Sequence, residues 1–253
     1  MDCSDLSALF QRAGVPTDKP GFCDHPAFLR AETQIQGLLD RYAQFVQCQA
    51  PADAERVRGI AEAVAHEVAD SINKSGQPGA CIDAALATSW MLSQEGVWNF
   101  VVKGGLVIEA QVNGRSVIQY FSQHDVNGAD AGHAWVVAPP FRVVDGALRH
   151  QPYSAAGLAS VLPLAVVADG EQVSNLSPAD HCSADLMART DVRGAHQAVL
   201  RFGSITPPVY VNFEGGKLKY VPCGVTAQYP EWTPDAPAKV GRSARQMLRE
   251  VAS

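Results

Sequence analysis

Closely spaced cysteine pairs are missing from this 253-residue chain. Its six cysteines, Cys3, Cys23, Cys48, Cys81, Cys182 and Cys223, are scattered with no CxxC spacing. That excludes the structural zinc sites that paired thiols announce, and no metal is expected. Long apolar runs are missing too. The longest, residues 162–168 with one proline inside, falls far short of a membrane span. The opening MDCSDLSALFQRAG has neither the basic start nor the apolar stretch of a signal peptide. The thiols are therefore expected to be free and the compartment reducing and cytoplasmic. A toxin or effector exported without a signal peptide would have the same composition. Charge is also sparse. Asp, Glu, Lys and Arg make up 18% of the chain, and the net charge is −6. No basic face for nucleic acid is expected. The mild cluster Lys239, Arg242, Arg245 and Arg249 reads as the solvated side of a helix.

What is abundant is apolar: 47% of residues, enough for a sizeable core. The first third has helical spacing. Ile35, Leu38, Leu39, Tyr42, Phe45 and Val46 predict one helix over 27–47, with Pro26 at its first turn. Val57, Ile60, Val64, Val68 and Ile72 predict a second over 53–72, which NKSGQPG ends. A third starts at Cys81 and runs to about residue 94. The pattern then changes to β-branched and aromatic runs, with Gly104-Gly105 and Asn113-Gly114 as punctuation and Asn-Gly as a hairpin signal. HAWVVAPPFRVVD reads as strand, Pro-Pro turn, strand. HQAVLRFG and PVYVNFEGGKLKYVP read as further strands, with a short helix over 183–189 before them and a last helix over 242–251. Helices followed by antiparallel strands make an α+β class. The expected organisation is a helical N-terminal extension (1–75) packed on the same domain, an α+β core (76–229), and a proline-rich segment with a C-terminal helix (230–253).

QPGACIDAALATSWML places Cys81 where a turn becomes a helix. The positive end of the helix dipole and its free N–H groups favour a thiolate there, and the thiolate is the nucleophilic form. Such a thiolate needs a base and a group to orient that base. His133, in AGHAWVV, starts a strand; Asp145, in RVVDGAL, ends the next. They sit at matching ends of one hairpin and meet if both side chains leave the same face. Each residue also has an ordinary reading: Cys81 as a buried thiol, His133 as a loop histidine, Asp145 as a turn residue before Gly146.

A helix-heading Cys, then GHAWV, then a strand ending VVD resembles the transglutaminase-like branch of the papain-like thiol enzymes, over roughly residues 76–148. The resemblance implies a nucleophile-bearing helix packed on an antiparallel sheet. It also implies a triad of Cys81 as nucleophile, His133 as general base and acid, and Asp145 as orienter. Trp135 is similar to a frequent family residue that packs beside the histidine. The family often has a proline after the Asp, where this chain has Gly146. Gln77, four residues before Cys81, is a candidate oxyanion donor, and the Cys81 backbone N–H is another.

The implied activity is acyl transfer from an amide of a protein or peptide through a Cys81 thioester, with hydrolysis favoured and no cofactor. A protein transglutaminase or deamidase shares the first half-reaction. A non-catalytic protein-binding module would keep the fold with the triad unassembled. An arylamine-acetyltransferase-like enzyme would use a small acyl donor. Two further motifs carry reactive or oxygen-bearing side chains. Cys182 is a rival nucleophile, but adjacent His181 is expected to point away from it. DVNGAD, residues 125–130, has the oxygen-bearing spacing of a calcium loop without its terminal Glu and reads as a polar loop.

Overall fold

Local capping chemistry starts several of the helices. Asp53 accepts from the Arg56 N–H at 2.9 Å and opens α4 (Ala54–Ser75), which Gly76 closes in the left-handed region at φ 65°. Asp2 caps α1 (Cys3–Arg12), Pro26 occupies the first turn of α2 (Pro26–Glu32), and Ser243 caps α9 (Ala244–Val251). The structure is a computed structural model and describes residues 2–49, 51, 53–122, 132–189, 191–226 and 232–252. The polar DVNGAD loop lies outside the described residues.

The chain is α+β, with helices packed on one antiparallel sheet. After α3 (Leu38–Gln47), α4 and α5 (Cys81–Gln94) come β1 (Phe100–Val112), β2 (Arg115–Phe121), β3 (His133–Ala138) and β4 (Phe141–Asp145). Then follow α6 (Leu158–Val161), β5 (Val166–Ala168), β6 (Glu171–Gln172), α7 (Ala184–Arg189), α8 (Arg193–Phe202), β7 (Val209–Phe213) and β8 (Gly216–Thr226), with α9 last. The strand order is β5-β4-β3-β1-β8-β7-β6, and β2 pairs with β1. Long β1 thus serves two neighbours along one edge: Phe100 to Gly104 pair with β3, and Leu106 to Val112 pair with β2.

Alternation along the strands divides the core between two clusters. Phe100, Val102, Leu106, Ile108, Trp135, Val137 and Tyr220 pack with α1, α2 and α3. There Phe10, Phe22, Phe28, Phe45 and Tyr42 form edge and stacked ring contacts at 4.9–6.1 Å. On the other face Val101, Ala134, Val136, Ala138 and Val144 pack against α4, α5 and α9. Among the described residues, no helix is long and apolar enough to cross a membrane.

Four local expectations are corrected. The single helix over 27–47 is two, because Gly37 takes φ 71° and restarts the chain as α3. HQAVLRFG is helical, within α8: Val199 and Phe202 are buried and Leu200 is exposed, a three-residue spacing rather than a strand's alternation. Gly104 and Gly105 make no turn. They lie inside β1, where Gly104 lets the Val221 carbonyl and the Trp135 ring approach. Lastly, the thiols are not all free: Cys3 and Cys48, at the start of α1 and just past the end of α3, are disulfide-bonded. The packing of α1 on α3 brings them together, which 45 residues of intervening sequence do not reveal. Closing a loop of this size is worth about 3–4 kcal/mol through the unfolded chain. Cys48→Ser is therefore expected to lower Tm by roughly 10 °C, and reductant should lower the wild-type Tm alike. A wild-type melt indifferent to reductant counts against the bond.

Candidate active site

The site lies where β3 begins, β4 ends and α5 begins. His133 is the first residue of β3 and Asp145 the last of β4. A regular hairpin would keep them on opposite faces. Beside the Pro139-Pro140 turn Ala138 pairs with Phe141, but two residues along β3 Val136 pairs with Val144. β4 therefore holds one extra residue, a bulge. Phe141 packs in the cluster facing α5, whereas Val143 packs in the opposite cluster with Trp135. The bulge moves Asp145 with Val143 to the face of His133.

His133 Nε2 donates to Asp145 Oδ2 at 2.7 Å. Two more donors hold the carboxylate: the Tyr220 hydroxyl to Oδ2 at 2.9 Å and the Ala147 N–H to Oδ1 at 2.8 Å. His133 and Asp145 are each 2% exposed and Tyr220 is fully buried. Burial pulls the imidazole pKa down. The Asp145 charge and hydrogen bond, with the Cys81 thiol, outweigh it and raise His133 from 6.5 to about 10. Burial acts to raise the Asp145 pKa, and the His133 charge and the three donors reverse that, leaving it below its ordinary value. Tyr220 is pushed well above its ordinary value by burial and by the Asp145 charge.

Cys81 is buried at the head of α5, close enough to the imidazole for its thiol to help raise the His133 pKa. His133 Nε2 is engaged by Asp145, and Nδ1 is buried with no hydrogen-bond partner among the described residues, so Nδ1 is the nitrogen open to a thiol. The first intrahelical bond of α5 runs from the Ala84 N–H to the Ala80 carbonyl at 2.8 Å. The N–H groups of Cys81, Ile82 and Asp83 therefore have no carbonyl within the helix, and Ala80 supplies no side-chain cap. The Gly79 N–H donates to the His150 carbonyl at 2.8 Å, tying the approach to α5 to the segment after β4.

Trp135 is buried at 1% exposure and stacks near His133, ring centroids 6.2 Å apart and planes 20° apart. Its indole N–H donates to the Arg142 carbonyl at 3.2 Å. Gly146 follows Asp145 because a Cβ there would sit 2.6 Å from the Ala65 carbonyl oxygen on α4. Gln77 lies in the exposed segment after α4, its N–H pointing to Ser75 Oγ, and its amide has no hydrogen-bond partner among the described residues.

Two features escaped the sequence reading. Tyr220 gave no signal beyond an inward position in KLKYVP; its contact with Asp145 spans 75 residues. The expectation that His181 points away from Cys182 is overturned: Cys182 Sγ lies 3.3 Å from His181 Nδ1. The chain turns at the end of the short 3-10 segment Pro178–Asp180, which lets two consecutive side chains converge.

Tyr220→Phe is expected to cost about 1.5–3 kcal/mol, the usual effect of deleting a hydrogen bond to a buried charge. Urea denaturation of both proteins at neutral pH measures it. An unchanged midpoint would mean the hydroxyl contributes nothing to Asp145.

The chain matches no protein-family model, no curated protein and no solved structure.

Proposed function

We propose that the chain is a thiol-dependent acyl-transfer enzyme with a papain- or transglutaminase-like fold, acting on an amide of a protein or peptide. The observation that carries this reading is the buried His133, held by Asp145 through Nε2 with Nδ1 left for Cys81. A raised imidazole pKa favours imidazolium beside a thiolate, the resting form of a nucleophilic thiol pair. The thiolate attacks the amide carbonyl carbon. Negative charge gathers on the carbonyl oxygen, where the free N–H groups at the head of α5 are the natural donors. As the C–N bond breaks, His133 gives its proton to the leaving amine and a thioester remains. The neutral imidazole then takes a proton from the acceptor, water being the simplest, as the acceptor bonds to the thioester carbon; the C–S bond breaks, acid or amide is released, and the thiolate and imidazolium are restored. Asp145 keeps the ring oriented and stabilises its charged form.

The test is iodoacetamide alkylation of each thiol across pH, read by peptide mass spectrometry, in wild type and His133→Gln. The glutamine amide can still donate to Asp145 in place of the imidazole. The expected result is fast labelling of Cys81 below pH 7, lost in the variant, with Cys23 and Cys223 slow in both. Labelling of Cys81 that rises only near about pH 8.5, as for an ordinary thiol, and ignores His133 would overturn the reading.

A further inference from the structure

A second thiol and two imidazoles, none of them among Cys81, His133 and Asp145, form a chain of their own. Cys182 Sγ lies 3.3 Å from His181 Nδ1, and His181 Nε2 lies 3.1 Å from His196 Nδ1. The two rings are nearly parallel, 8° apart, with centroids at 5.3 Å. Cys182 is 1% exposed and His181 4%, while His196, on α8, is half-buried. The three donors do not converge on one point, because His181 turns a different nitrogen to each neighbour. A shared metal ion does not suit that order. A proton path does. In the neutral tautomer that carries its proton on His181 Nε2, the thiol donates to His181 Nδ1 and the Nε2–H donates to His196 Nδ1. Moving both protons outward leaves a thiolate on Cys182, neutral His181, and an imidazolium at the half-buried end.

We propose that Cys182 is an oxidation site for small hydroperoxides, with His181 and His196 as its proton relay. The thiolate sulfur attacks one peroxide oxygen. An S–O bond forms, the O–O bond breaks, and sulfur is oxidised by two electrons to a sulfenic acid. The hydroxide released takes the proton held by the relay and leaves as water. The charge is thus balanced within the cluster throughout. Burial selects the oxidant: hydrogen peroxide is little larger than water, and bulky electrophiles do not reach the sulfur. Burial also raises the Cys182 pKa, so without an exit for its proton this thiol would be the inert one. Asp180 is not available to hold that proton, since its carboxylate is paired with Lys219 at 2.8 Å.

The experiment exposes the full chain to limiting hydrogen peroxide near neutral pH. Samples are quenched with catalase, unfolded in the presence of dimedone, and each cysteine is scored by peptide mass spectrometry. Cys182 should form sulfenic acid faster than Cys23 and Cys223, although both are more exposed. His196→Gln, at a half-buried position that tolerates the change, should slow Cys182 about a hundredfold, the lower end of what a positioned proton-transfer group contributes. Alkylation of Cys81 should be unchanged in that variant, which separates this proposal from the reading of the Cys81 site. Oxidation of Cys182 no faster than that of Cys23 and Cys223, or a rate indifferent to His196, would overturn it.

Discussion

His133→Ala is expected to abolish fast alkylation of Cys81 and to cost about 3–5 kcal/mol of stability, the usual result of breaking one side of a buried ion pair. The variant leaves the Asp145 carboxylate 2% exposed, with the Tyr220 and Ala147 donors but no counter-charge. It also empties the space beside Trp135 and Tyr220, whose rings each lie 6.2 Å from the imidazole, centroid to centroid. pH dependence separates charge from packing. The His133 pKa rises on folding from 6.5 to about 10. Its contribution is therefore fully present below pH 6.5 and lost as pH climbs through about 10. The Asp145 pKa falls on folding, so its contribution is present above its ordinary value of 3.8 and lost as pH drops through the folded value. Urea denaturation of both proteins from pH 5 to pH 10.5 makes the comparison. The wild-type advantage should be flat to pH 6.5 and shrink towards pH 10. A small difference that does not vary with pH would mean that the ring fills space and carries no charge.

The second large effect comes from packing at Gly104, the β1 residue paired with His133. Gly104→Ala places a methyl against the Val221 carbonyl of β8 and within 2.8 Å of the Trp135 ring. Neither neighbour can yield. The carbonyl belongs to a paired strand, and the indole is fixed by its bond to Arg142. Overpacking of this kind is expected to cost about 3 kcal/mol. Because Trp135 lies against His133, labelling of Cys81 should slow as well. Gly105→Ala is the control. Its nearest neighbours, the Phe121 carbonyl oxygen at 3.4 Å and His181 Cβ at 3.7 Å, are at ordinary contact distance. It should stay within about 0.5 kcal/mol of wild type. Chemical denaturation of the two variants decides the matter, and equal losses would show that the close approach at Gly104 is not the cause.

Both effects arise where chain order says least. Residues 81, 133 and 145 were legible as candidates because each carries a local cue: a cysteine after a Gly-containing turn, a histidine after glycine at a strand start, an aspartate at a strand end. Helix starts at Pro26 and Asp53, and the Asn113-Gly114 hairpin, were legible for the same reason. Capping, turn geometry and periodicity act within a few residues, so sequence carries them directly. The helical Arg193–Phe202 contains a short apolar run that suits either period, and the break at Gly37 turns on one glycine's left-handed backbone within a helical pattern.

The sequence alone determined the helix-then-strand order, the α+β class, and the positions of a thiol, an imidazole and a carboxylate. It did not determine whether the last two face each other. One extra residue in β4 decided that, since a strand's side chains change face with every residue. Sheet order decided the rest: it brings Tyr220 to Asp145 and the Val221 carbonyl to Gly104, while helix packing joins Cys3 to Cys48. These contacts depend on how distant segments pack, and no local pattern in the chain encodes them.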